Sequence, residues 1–276
     1  MPYKSLLTIL PMEEDLKVLM PTITLAKNLG AHLDIVIVGE LSSPSDYFYG
    51  GVGDESWKEN NREVYKHTEK LNEAVEALVA ENKISANVIV ERQFKEITGS
   101  VLSRYTLCTD LNVLTFDAIY SEQQTIKSYY RALIAAGKPV IILNDKTLQP
   151  LNLSKVVLAW NGKAEAAKAI QLSLPMLKHA ENVHLVMIDP DKSELGANPG
   201  HDMATYIARH GVKLTVDSIS SGGNTIADAL LQRTIDLNAD LLVMGAYGTT
   251  KLREWLLGGT TQHILKEANS PIFLCH

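Results

Sequence analysis

Two short phrases half a chain apart constrain the fold more than anything else in these 276 residues: KPVIIL at Lys138 to Leu143 and SPIFLC at Ser270 to Cys275. Each is a polar residue, a proline and four apolar residues, and each closes a series in which short apolar runs alternate with helix-length segments. That alternation predicts parallel strands, because only a crossover of a dozen or so residues returns the chain to the same end of a sheet. The same order occurring twice predicts two copies of one α/β unit, over residues 1–148 and 152–276.

In the first copy the pattern predicts strands at Ser5 to Leu10, His32 to Val38, Asn87 to Val90, Leu111 to Phe116 and Lys138 to Leu143. Helices are predicted at Asp15 to Leu29, Trp57 to Asn82 and Ile97 to Leu107. Gly30 stops the first helix. In the long second helix Val64, Thr68, Leu71, Val75 and Leu78 recur at steps of four and three, so one apolar stripe faces the sheet. Leu41 to Ser56, which contains Gly50 to Gly53, reads as a loop and not as a phosphate turn.

In the second copy strands are predicted at Lys155 to Trp160, Val183 to Ile188, Val212 to Asp217, Asp240 to Met244 and Pro271 to Cys275. Helices fall at Ala164 to Leu177, Met203 to His210, from Thr225 to about Leu237, and at Gln262 to Ala268. Thr225 with Asp228 reads as a capping box, and Ser220 to Gly223 as a turn.

The stretch Asp240 to Gly259, DLLVMGAYGTTKLREWLLGG, carries the chemistry. Gly245 and Gly248 follow a buried apolar strand, where the absence of a Cβ allows a tight turn and close approach. Gly258, Gly259, Thr260 and Thr261 then precede a helix. Free backbone amides and two hydroxyls at a helix N-terminus suit an anion, phosphate above all. No Gly-Lys-Ser/Thr and no Gly-x-Gly-x-x-Gly is present.

As G-x2-G-x9-G this spacing resembles the nucleotide-binding signature of the universal stress protein family. The resemblance covers the whole chain as a tandem of two domains and is specific in the second. It implies two doubly wound five-stranded parallel sheets of strand order 3-2-1-4-5, with helices on both faces and ligand at the switch point between strands one and four. It also implies ATP or a related adenine nucleotide as ligand. The residues that match its nucleotide contacts are Ala159, Trp160 and Asn161 after strand one, Met187 at the end of strand two, and Met244, Gly245, Tyr247, Gly248, Gly258, Gly259, Thr260 and Thr261.

The chain departs from that family in two places. Asn161 stands where the family usually has Asp, so it offers hydrogen bonds but no charge; Asn-Gly is also a good turn dipeptide. Gly259 stands where Ser or Thr is usual, which moves the first hydroxyl to Thr260. The first copy lacks the signature: Asp117, Ala118, Ile119 and Tyr120 follow its fourth strand, and Pro11 and Met12 follow its first. One nucleotide site per chain follows, with the first copy degenerate.

Other constellations are weaker. Asp189 and Asp191 read as solvated acids, with Mg²⁺ brought by the nucleotide as the alternative. His201 and His210 miss the spacing of metal sites, and Ser220, Ser221, Asp217 and His210 lack a nucleophile elbow. A formal charge of -6 and a pI near 5.8 argue against a nucleic-acid partner. No apolar stretch approaches membrane-spanning length. Cys108 and Cys275 read as reduced, buried thiols, which suits a cytoplasmic protein. The chain therefore reads as a cytoplasmic, nucleotide-dependent regulatory or interaction module with an unidentified protein partner, a homodimer being left open. The alternatives are a weak ATPase or nucleotide transferase, set against by the lack of a candidate general base at the glycine loop, and a nucleotide-free dimerising scaffold.

Overall fold

The computed structural model of the chain describes residues 3–49, 52–53, 55–115, 129–130, 133–134, 136–143, 151, 153–191, 198–246 and 259–276. The chain divides into two compact units, Tyr3–Leu133 and Ile134–His276. Both are α/β, and every strand-to-strand pairing but one within their main sheets is parallel.

In Tyr3–Leu133, strands β1 (Ser5–Pro11), β2 (His32–Leu41), β5 (Ala86–Phe94) and β6 (Leu111–Thr115) form a sheet in the order β5-β2-β1-β6. Helix α1 (Leu19–Leu29) ends at Gly30 in the left-handed region, the stop that the sequence predicts. Helix α2 (Ser56–Asn82) buries Val64, Thr68, Leu71 and Val75 on one stripe. The stripe lies on β2: a Cβ at Gly39 would stand 2.7 Å from Val64 Cγ1 and 2.8 Å from Thr68 Cγ2. The segment before α2 is more regular than a loop, since strands β3 (Phe48–Tyr49) and β4 (Val52–Gly53) pair as a minimal antiparallel ladder. Helix α3 (Lys95–Tyr105) follows β5 and runs into a 3-10 turn at Thr106–Cys108.

In Ile134–His276 the strands are β7 (Val140–Leu143), β8 (Lys155–Ala159), β9 (Asn182–Ile188), β10 (Thr215–Ile219), β11 (Leu241–Gly245) and β12 (Ile272–Cys275). Their order is β10-β9-β8-β11-β12-β7. The five strands of the second copy thus keep the order 3-2-1-4-5. The expectation of two separate five-stranded parallel sheets differs from the structure in one detail. KPVIIL lies in the second unit and pairs antiparallel with SPIFLC, Ile272 facing Ile142 and Leu274 facing Val140. Both strands are wholly buried; pairing satisfies the edge that either would otherwise leave open.

The two copies also share a strand-start device. Asp110, just before β6, accepts hydrogen bonds at its carboxylate from Lys4 N (2.7 Å) and Ser5 N (3.0 Å) at the head of β1. Asp240, just before β11, accepts one from Lys155 N (2.8 Å) at the head of β8. In each copy an Asp-Leu step thereby fixes strand four beside strand one.

Helices α4 (Ala164–Leu177), α5 (His201–Arg209), α6 (Ile226–Asp236) and α7 (Gly259–Glu267) complete the unit. Strand β10 begins later than the predicted Val212, and α7 begins at Gly259, three residues ahead of the predicted Gln262. Cys275 is buried, but Cys108 is exposed at the end of its 3-10 turn, contrary to the expectation of two buried thiols. Among the described residues no helix is long and apolar enough to cross a membrane.

Candidate functional site

The chain leaves β8 toward β9 on one side and reaches β11 on the other, so the crevice outside the carboxyl ends of β8 and β11 is where strand order reverses. A cavity of about 420 Å³ lies there. Ala159, Trp160 and Asn161 line it from the end of β8, and Met244 and Gly245 from the end of β11. Gly259, Thr260 and Thr261 line it from the first turn of α7.

Each wall has a local cause. Asn161 Oδ1 accepts from Lys163 N (3.1 Å) and Gly162 sits at φ +78, so the Asn-Gly turn forms as its residue types favour. That turn swings the chain from β8 into α4. At the end of β11 a Cβ on Gly245 would stand 2.7 Å from both Ala166 N and Glu165 C. Only glycine lets α4 start this close to the strand. Gly259 is different: it lines the cavity, and a Cβ there meets nothing described within 4 Å.

Helix α7 is held by a chain of hydrogen bonds. The Thr225 hydroxyl accepts from Asp228 N (3.1 Å) and donates to Asp228 Oδ2 (2.6 Å). Asp228 Oδ1 in turn meets His263 Nε2 on α7 at 2.7 Å. The cap predicted from Thr225 and Asp228 therefore forms, with the carboxylate turned toward the hydroxyl and α7. The Thr225 hydroxyl and then His263 hold the Asp228 carboxyl below the usual carboxylate range. Because α7 starts at Gly259, Thr260 and Thr261 belong to its first turn, where backbone N–H groups have no partner within the helix. Thr260 is exposed and Thr261 is buried.

The remaining sequence-predicted positions divide as follows. Met187 is buried with its side chain beside Gly200, at 2.9 Å from where a Cβ would stand there. Its neighbours Val186 and Ile188 line the cavity, as the alternation of strand side chains requires, while the expectation for Met187 concerns its backbone. Tyr247, Gly248 and Gly258 lie outside the described residues, as do Asp117, Ala118, Ile119 and Tyr120 of the first copy. Asp189 turns toward the Ser220–Gly223 turn: Ser221 N donates to its carboxylate at 3.2 and 3.3 Å, and hydrogen bonds from Ser221 hold the Asp189 carboxyl low. Among the described residues no group of three or more His, Cys, Asp or Glu is placed to hold a metal.

Several lining residues were not legible from the glycine pattern. Ile226 and Leu230, one turn apart on α6, and Ile264 on α7 make an apolar wall. Lys163 and Glu165 bring charge to the cavity from the start of α4. Glu165 is a carboxylate in the lining that the glycine pattern does not reveal. The signal for it was its place in the first turn of a helix that begins directly after the Asn-Gly turn.

A larger and more open groove of about 710 Å³ runs between β10 and α6, away from the glycines. Its Asp217 carboxylate is paired: Oδ2 is 2.8 Å from Arg233 Nη2 and 3.0 Å from His184 Nδ1. Burial pushes the Asp217 carboxyl up, but Arg233 and His184 outweigh it and hold it below the usual range. That cluster anchors α6 to the sheet and serves the smaller cavity by fixing one of its walls.

Residues 152–276 match the model of the universal stress protein family. The chain is 24% identical over 266 residues to universal stress protein Slr1230 of Synechocystis sp., covering 90% of this chain and 91% of that one. Universal stress protein MJ0577 of Methanocaldococcus jannaschii is 38% identical over 39 residues, 14% of this chain and 24% of that one. A universal stress protein structure from Archaeoglobus fulgidus covers 98% of this chain and 95% of its own, with a TM-score of 0.67 and 17% identity.

Proposed function

The chain belongs to the universal stress protein family through residues 152–276, and from that premise we propose that it binds ATP or a related adenine nucleotide in the cavity between β8 and β11. The observation that carries this reading is the composition of that cavity. Ile188, Ile226, Leu230, Met244 and Ile264 supply its apolar lining, and Gly259, Thr260 and Thr261 supply backbone and hydroxyl groups at the start of α7. A purine ring has two apolar faces and suits the first. Phosphate suits the second, where α7 offers free N–H groups, the positive end of its dipole and two hydroxyls. The volume falls in the range of small-molecule sites. Lys163, an exposed lining residue, adds a positive charge to the cavity.

In this reading the nucleotide acts as a regulatory occupant. It bridges α4, α6 and α7, which meet at the cavity, and so alters the surface that a protein partner reads in the cytoplasm. The first copy serves as a structural companion without a nucleotide of its own. A second reading, slow hydrolysis, has one observation in its favour, the carboxylate of Glu165 in the cavity. Native mass spectrometry of protein purified without added nucleotide tests the first reading: a retained mass of one adenine nucleotide per chain supports it. Failure to acquire one after incubation with millimolar ATP removes it.

A further inference from the structure

Two ionisable side chains line the nucleotide cavity, Lys163 and Glu165, and among the described residues neither has a hydrogen-bond or ion-pair partner. They differ in setting. Lys163 is exposed, while Glu165 is half-buried. Glu165 Cγ lies 2.9 Å from where a Cβ on Gly245 would stand, so its stem is laid against the end of β11. Glu165 lines the cavity together with Val186, Ile188 and Leu230, is half-buried, and has no protein donor among the described residues. A half-buried carboxylate in that setting is satisfied by donors that a ligand supplies.

Asn161 carries no charge, and its carbonyl oxygen already accepts one hydrogen bond from Lys163 N. Thr260 and Thr261 stand on α7, at the end of the cavity suited to phosphate. Glu165 is thus the one anionic acceptor among the described lining residues. Its two oxygens match a paired neutral donor, and a vicinal diol is the paired donor that a ribonucleotide carries.

We propose that Glu165 is the ribose-recognising residue of this site, accepting hydrogen bonds from the 2′- and 3′-hydroxyls and making the ligand a ribonucleotide and not a deoxyribonucleotide. This rests on the nucleotide reading above and deepens it. A site built to accept a hydroxyl rejects an analogue that lacks it, because the acceptor is then left buried and unpaired. A hydrogen bond to a charged group corresponds to about ten- to a hundredfold in affinity.

The test is the affinity of the full chain for ATP, 2′-deoxyATP and 3′-deoxyATP, in the unaltered protein and in Glu165→Gln and Glu165→Ala, with thermal melting to show that each variant is folded. The unaltered protein is expected to prefer ATP over either deoxy analogue by at least about tenfold. Glu165→Ala brings ATP down to the level of the deoxy analogues and leaves those unchanged, and Glu165→Gln falls between. Equal affinity of the unaltered protein for all three ligands overturns the ribose assignment while leaving the nucleotide site standing. Equal loss of all three in folded Glu165→Ala also overturns it, and means that Glu165 only shapes the wall. No binding of ATP by the unaltered protein removes the nucleotide reading and the ribose assignment together.

Discussion

Gly245→Ala and Gly259→Ala add the same methyl group to two glycines of one cavity, yet they are expected to fail in opposite ways. At Gly245 the new Cβ stands 2.7 Å from Ala166 N and 2.7 Å from Glu165 C, both backbone atoms of α4. Favourable contact needs roughly 3.5 Å, so the first turn of α4 must recede by about 0.8 Å. Overpacking of this kind costs about 1–3 kcal/mol. With a urea dependence of about 1–3 kcal/mol per molar, the midpoint of unfolding falls on the order of 1 M. Because Glu165 lies in that turn and Lys163 directly precedes it, nucleotide affinity falls with it. At Gly259 the new Cβ meets nothing described within 4 Å, so stability stays within about 0.5 kcal/mol. That Cβ intrudes where phosphate approaches α7, and affinity falls at least about fivefold, as a 1 kcal/mol clash implies. Urea titration followed by circular dichroism and calorimetric titration with ATP separate the two effects. An unchanged midpoint in Gly245→Ala refutes the close approach of α4 to β11. Unchanged affinity in Gly259→Ala refutes the placing of phosphate at α7.

Other outcomes follow from single contacts. The double change Thr260→Ala with Thr261→Val lowers ATP affinity at least about tenfold and leaves adenosine nearly untouched, since a phosphate contact adds nothing for a ligand without phosphate; equal losses point to disturbed capping of α7. Asp217 has a folded-state pKa below its unfolded value of about 3.9, so its stabilisation is present above that value and is lost as pH falls through the lower folded one. Asp217→Asn therefore flattens the acid limb of a stability–pH profile measured below about pH 5, and an unaltered limb contradicts the Arg233 and His184 pairing. Exposed Cys108 reacts with a thiol reagent in the native protein, whereas buried Cys275, whose thiol burial pushes up, reacts only on unfolding. Two fast thiols refute that assignment.

The fold was legible because its strands are apolar runs too short to be helices and its helices carry stripes at the helical period. Val64, Thr68, Leu71 and Val75 show this directly, as do KPVIIL and SPIFLC. The antiparallel pairing of those two phrases was not legible, because a buried four-residue run has no pattern that fixes its direction or its unit. Helix starts were the weakest expectations: Gly259 heads α7 although glycine is a poor helix former, since a first-turn residue makes few demands on propensity. Within the site Gly245 and Gly259 line one cavity, and Gly248 and Gly258 lie outside the described residues. Glycine marks where backbone must come close but says nothing of which side chains then face the space. Hence Lys163 and Glu165 emerged only with the turn at Asn161 and Gly162, and Val186 and Ile188 joined the lining only once the strand's alternation was fixed.

The most direct measurement is a calorimetric titration of nucleotide-free full-length chain with ATP. The structure and sequence together predict one site per chain, with affinity at least about fivefold lower in Gly259→Ala at unchanged stability. No saturable heat, two equivalent sites per chain, or full binding in Gly259→Ala contradicts the account.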